Sequence, residues 1–154
     1  MNFREIDTKT ITFLLPDSCK DTYYQRFDKK EGISIDKKGN VTMPLPLYNE
    51  WCDWKNRTEI DVAELITRRR RQVLVHSIIY YRYNDNIISD STWSDWAKEL
   101  YDLQRKYPET ASICPLAKEF KDFDYSTGSN LPLGDPWGNE IALRLLKMRE
   151  KGEL

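Results

Sequence analysis

The chain has 154 residues with 24 basic and 25 acidic side chains, a formal net charge of -1. That length fits a single domain spanning residues 1–154, large enough to bury about two-thirds of its unfolded surface without a staple. The charge balance excludes a chain that coats nucleic acid or an acidic membrane as a whole, so any such binding has to be local. Three cysteines, Cys19, Cys52 and Cys114, are an odd number at wide spacing with no CxxC pair. This pattern argues against a disulfide framework and against a zinc site.

The first elements form a small β-containing part over residues 1–46. The N-terminal stretch MNFREIDTKTITFLLPD holds a short apolar run at Ile11 to Leu15, too brief for a signal-peptide core or a membrane span. A cytoplasmic location is the expectation, and the glycosylation pattern Asn56-Arg57-Thr58 is then inert. Ile11 to Leu15 is closed by Pro16-Asp17. Gly32 to Ile35 alternates in polarity, Asp36 to Asn40 supplies turn residues and Val41 to Met43 follows, so these segments read as a hairpin. Between them Tyr23, Tyr24 and Phe27 stand at helical spacing in a polar background and indicate a short helix within Lys20 to Lys30. Pro44 and Pro46 close the strand region, and Leu47 to Trp54, with Tyr48, Trp51 and Trp54 at three-residue intervals, reads as a short helical piece or an aromatic-anchored loop.

Thr58, followed by Glu59 and Asp61, has the chemistry of a helix start: a hydroxyl to cap free amides and acids at the positive end of the macrodipole. The helix it opens meets neither Pro nor Gly before Asn84 and would run for about 25 residues, near 37 Å at the usual rise. Val62, Ile66, Val73 and Tyr80 share its apolar face with Arg69 and His76. A second helix starts at Ser89 and carries Trp93, Trp96, Leu100, Leu103 and Tyr107 as an apolar stripe until Pro108. The short connection from Asn84 to Ile88 makes the two helices antiparallel neighbours over residues 58–107. The segment after Pro108 reads as loop, with Phe120, Phe123 and Tyr125 as anchors. Asp135-Pro136 announces a last helix over 135–151, with Trp137, Ile141, Leu145 and Met148 on its apolar face. The fold class is therefore α+β and mainly helical: an antiparallel helical hairpin, a C-terminal helix and a small N-terminal β element closing one core.

Residues 80–108 read YYRYNDNIISDSTWSDWAKELYDLQRKYP. Without a gap, this stretch resembles the small N-terminal subdomain of bacterial NAD-dependent DNA ligases, whose pattern is roughly YHxxDxPxISDxEYDxLxxELxxLExxHP. It also resembles the freestanding ligase-related small proteins of phages and mobile elements. In the ligases this hairpin grips the nicotinamide mononucleotide half of NAD, with aromatics against the ring and acids towards the ribose and amide. The resemblance thus implies a ligand pocket at Tyr80, Tyr81, Asp90, Trp93 and Ser94, for nicotinamide mononucleotide or NAD. Tyr80, Tyr81 and Asp90 keep the pattern's places as aromatic, aromatic and acid. Trp93-Ser94 stands where the ligases have Tyr-Asp, and Asp95 lies one residue, about 100° around a helix, from the lost acid. The competing reading of these residues is structural, with Tyr80 and Trp93 packing the hairpin and Asp90 favouring the helix start.

Ligase chemistry itself is not expected. The chain contains no KxDG motif, whose lysine forms the covalent adenylate in that family. No cofactor is required by the sequence and no metal site is indicated.

Arg68, Arg69, Arg70 and Arg71 form the densest positive cluster. They read as an anion or partner patch, or as a solvated turn projecting from the packed face, which is the simpler account. His76, the one histidine, reads as a satisfied core residue. Three functions follow in order: an interaction protein that binds and modulates a host or phage protein, a nicotinamide-nucleotide binding module, and a nucleic-acid accessory factor acting through the arginine cluster. The sequence leaves the oligomeric state open.

Overall fold

The structure is a computed structural model that describes residues 9–154, apart from the side chains of Thr22 and Gln25. The first eight residues of the expected β-containing part lie outside the described residues. The architecture is α+β and mainly helical. In chain order the elements are β1 (Thr10–Leu14), a 3-10 turn (Asp17–Cys19), α1 (Lys20–Arg26), β2 (Ser34–Ile35), β3 (Asn40–Pro44), α2 (Leu45–Arg82), α3 (Asp90–Lys106), α4 (Pro108–Ile113) and α5 (Pro136–Glu150).

The chain divides into two compact units, one ending at Asp61 and one running from Val62 to Leu154. In place of the one core expected, buried side chains form two clusters. In the first unit the three strands make an antiparallel sheet in the order β1-β3-β2, with Ile11 opposite Met43 and Ile35 opposite Val41. The β2–β3 turn is organised by Asp36, whose Oδ1 accepts from the backbone N–H groups of Lys38 and Asn40, both at 2.9 Å. Gly39, at φ +88°, takes the left-handed position that this turn requires. Val41 and Met43 point to one face of β3 and are buried with Tyr23, Phe27 and Trp51. The rings of Tyr23 and Phe27 meet Trp51 edge-on, at centroid distances of 6.1 and 5.2 Å.

Helix α2 is the main departure from the expected boundaries. It is one continuous helix of 38 residues that begins at Leu45, not at Thr58. Leu47 to Trp54 belongs to its first turns. The physical reason is that proline is tolerated in the first turn of a helix, where its missing N–H has no intrahelical partner to lose. Pro46 therefore marks a start and not a stop, and Thr58 sits in the helix interior.

In the second unit, α2 turns back into α3 as the antiparallel hairpin. Asn84, at φ +51°, ends α2 in the left-handed conformation common after helices. Ser89 caps α3 by accepting from the Thr92 N–H at 3.1 Å. Between Val73 and Ile79 every residue except His76 is buried, because this stretch of α2 is covered on several sides and carries no single stripe. Tyr80, expected on the apolar face, is instead 54% exposed.

The connection after α3 is more ordered than the loop expected there. Pro108 ends α3 and also opens α4, again because proline suits the first helical turn. Helix α5 starts as the Asp-Pro pair indicated, with Asp135 accepting from the Gly138 N–H at 2.8 Å. Its buried residues, however, are Gly138 and Ala142, while Trp137 is 42% exposed under the Arg71 guanidinium. The small residues face inward because α5 lies close against α2: a Cβ on Gly138 would stand 2.6 Å from Ile78 Cδ1. Arg149 ties the far end of α5 to the hairpin loop, at 2.6 Å from Asp85 and 2.8 Å from the Asn86 carbonyl.

Candidate functional site

The hairpin brings together residues from four stretches of the second unit, among them its own connecting loop from Asn86 to Ser89, around an open cleft of about 220 Å³. Helix α2 supplies His76, Ser77, Tyr80 and Tyr81; the start of α3 supplies Asp90, Trp93 and Ser94; the loop before α5 supplies Ser126 and Thr127. All five residues singled out by the ligase resemblance, Tyr80, Tyr81, Asp90, Trp93 and Ser94, line this one cleft. Asp95 does not; it borders a separate shallow groove with Lys98 and Asp102.

The aromatic walls differ in character. Tyr80 and Tyr81 are exposed and stand edge to face at 4.8 Å. The Tyr81 hydroxyl shares a hydrogen bond of 2.8 Å with Thr127 Oγ1, which joins the helix to the loop across the cleft. Trp93 is half-buried. Its indole N–H donates to Ser77 Oγ at 3.2 Å and its ring meets Phe123 edge-on at 6.5 Å. Neither Tyr80 nor Tyr81 is core, while Trp93 both packs the hairpin and faces the cleft.

The loop wall is held by a close approach at Gly128, which is buried. A Cβ there would lie 2.2 Å from Ser77 Oγ and 3.3 Å from Trp93 Cζ2, so a glycine is what allows the loop to seat against the hairpin. Asp90 is exposed in the first turn of α3, where a carboxylate is favoured by the helix dipole and remains open to a ligand. Ser94 is exposed one turn further on.

His76 is not the satisfied core histidine expected. Its Nδ1 is shielded from solvent and has no hydrogen-bond partner among the described residues. The ring leans on Trp96 at 5.7 Å. Burial pushes its pKa below the ordinary 6.5, so the neutral imidazole is the native form at neutral pH. The unfolded chain takes up this proton near pH 6.5 and the folded chain only at lower pH, so stability is full above 6.5 and falls on acidification below it. With one histidine in the sequence, this decline below pH 6.5 should flatten in His76→Leu. Urea unfolding at a series of pH values measures it, and an unchanged slope would place the titration elsewhere.

The four arginines do not form one anion surface. Arg68 and Arg71 are exposed on α2, and Arg69 lies 5.6 Å over Trp96 with Glu99 at 3.5 Å. Arg70, at 2% exposure, is turned fully inward. Its Nε donates to Gln104 Oε1 at 2.8 Å, and its two Nη atoms donate to the carbonyls of Ala111, Cys114 and Pro115 at 2.8, 3.2 and 2.9 Å. The projecting turn expected for this cluster is thereby corrected. A guanidinium can be buried here because the last carbonyls of α4 need donors that no backbone supplies.

Among the described residues no group of three or more His, Cys, Asp or Glu is placed to hold a metal ion. All three cysteines are free thiols. No described helix is long and apolar enough to cross a membrane. No protein-family model, curated protein or solved structure matches this chain.

Proposed function

We propose that the hairpin cleft is a non-catalytic binding site for a nicotinamide nucleotide. The observation that carries this reading is the convergence of Tyr80, Tyr81, Asp90, Trp93 and Ser94 on one open cleft. Residues that served only the core would leave no such opening. The exposed faces of Tyr80 and Tyr81 suit a planar, cationic ring, and Asp90 is an acceptor for ribose hydroxyls. This convergence moves the nucleotide reading ahead of the interaction protein, which the loss of an acid at Ser94 otherwise favours.

Binding should be weak. A missing charge-assisted hydrogen bond is worth about 1.5 to 3 kcal/mol, or roughly ten- to a hundred-fold in affinity. Calorimetry with nicotinamide mononucleotide should give a low-affinity isotherm for the parent, a tighter one for Ser94→Asp and none for Asp90→Ala. No heat from either the parent or Ser94→Asp would retire the nucleotide reading.

A different surface supports the interaction protein as the second reading. Ile113, at 82% exposure, borders a shallow groove with Arg68 and Arg71. An apolar side chain beside two exposed cations fits a host or phage protein that presents acidic and apolar residues. The nucleic-acid reading is weakened, since Arg70 is spent inside the fold and Arg69 is held over Trp96.

A further inference from the structure

A nicotinamide nucleotide offers the cleft three different groups: a flat cationic ring, a ribose and a phosphate. We propose that the cleft holds only the cationic nucleoside, with the Tyr81 oxygen accepting a hydrogen bond from the ring's carboxamide and the phosphate left in solvent. The inference rests on the nucleotide reading and narrows it to a class of ligand.

Charge decides against the phosphate. Among the described residues that line the cleft none is Lys or Arg, and Asp90 is the one carboxylate. Arg82, next to Tyr81 in sequence, reaches instead to the Leu133 carbonyl at 3.4 Å, and Arg149, which meets the hairpin loop, is paired with Asp85 at 2.6 Å. The start of α3 is no substitute for a cation. A helix N-terminus attracts phosphate through its free amides, but here Ser89 already accepts from the Thr92 N–H at 3.1 Å, and Asp90 adds a negative charge in the same turn. A cationic ring meets the opposite situation: one carboxylate, two exposed tyrosines and no competing cation in the lining. The cleft, at about 220 Å³, is also smaller than the roughly 300 to 1,000 Å³ of sites for drug-sized ligands.

The role of Tyr81 follows from counting protons. Thr127 Oγ1 donates its one proton to Ser129 Oγ at 3.1 Å and accepts from the Ser129 backbone N–H at 3.1 Å. The 2.8 Å bond between Thr127 and Tyr81 must then carry the tyrosine's proton, and the phenol oxygen keeps only lone pairs for anything else. Tyr81 is 44% exposed, and this bond lies at the surface between two residues of the cleft wall. With Asp90 also an acceptor, both walls ask the ligand for donors. The ribose hydroxyls supply them to Asp90, and the carboxamide N–H supplies one to Tyr81. A carboxylate on the ring would bring no proton at neutral pH and would stand against the charge of Asp90.

Calorimetry with three ligands tests this: nicotinamide riboside, nicotinamide mononucleotide and nicotinic acid riboside. Nicotinamide riboside should bind at least as tightly as the mononucleotide, and nicotinic acid riboside about ten-fold more weakly, as loss of one hydrogen bond implies. In Thr127→Val the Tyr81 proton is released to face the ligand, so the preference for amide over acid should narrow. A mononucleotide bound more than about ten-fold tighter than the riboside would reveal a phosphate subsite and overturn the inference while leaving the nucleotide reading intact. Equal affinity for the amide and acid ribosides would overturn it in the same way, as would a preference unmoved in a folded Thr127→Val. No heat from any of the three, with the parent or with Ser94→Asp, would remove the nucleotide reading and the inference with it. Should Thr127→Val fail to fold, the order of the three ligands on the parent decides alone.

Discussion

Arg70→Met is expected to destabilise the protein by about 3 to 5 kcal/mol, the largest effect of any single substitution considered. Methionine approximates the volume of the arginine stem, so the change removes hydrogen bonds more than packing. It leaves the carbonyls of Ala111, Cys114 and Pro115 and the Gln104 amide oxygen without their shared donor. These carbonyls lie at and just beyond the C-terminal end of α4, where a cation also complements the helix dipole. Arg70→Lys should recover only part of the loss, because one ammonium cannot span acceptors arranged for a planar fork. Urea unfolding of the three proteins measures this. A loss below about 1 kcal/mol in Arg70→Met would mean that the carbonyls find other donors and that the guanidinium is replaceable.

Trp93→Ala should cost about 3 kcal/mol, the lower end for large aromatic truncations, since the indole is half-buried and not fully enclosed. The substitution removes the edge contact to Phe123, leaves Ser77 Oγ without its indole donor and withdraws the surface on which Gly128 rests. It also takes away one wall of the cleft. Binding of nicotinamide mononucleotide should therefore fall below calorimetric detection even at temperatures where the variant remains folded. An unchanged unfolding midpoint would show that Trp93 carries no packing, and unchanged nucleotide binding would show that it is no wall of the site.

The site was partly legible before the fold was known. The spacing of Tyr80 and Tyr81 before a capped helix start, with Trp93 and Ser94 one turn inside it, is local information. A helix–loop–helix of fixed loop length brings such positions together whatever surrounds them. The contribution of Ser126 and Thr127 was not legible, because a loop more than 30 residues away in sequence reaches the cleft only through the close approach at Gly128. A glycine inside Thr127-Gly128-Ser129-Asn130 reads as a turn residue. Nothing local distinguishes a glycine needed for a turn from one needed for contact with a distant helix.

Local chemistry in the sequence determined the caps and turns: Ser89 opening α3, Asp135 and Pro136 opening α5, Asp36 and Gly39 turning β2 into β3. Each depends on hydrogen bonds between residues a few positions apart, so the chain carries the cause and the effect together. Tertiary structure decided which faces are buried. Four consecutive arginines differ only in direction around α2, and Arg70 is the one turned inward because carbonyls at the end of α4, more than 40 residues later, lie where its fork can reach them. Tyr80 and Trp137, placed on apolar stripes by periodicity, are exposed because neighbouring elements cover other sides of their helices. Periodicity states that a helix has a face to bury; which neighbours arrive, and how closely, is set by partners far along the chain.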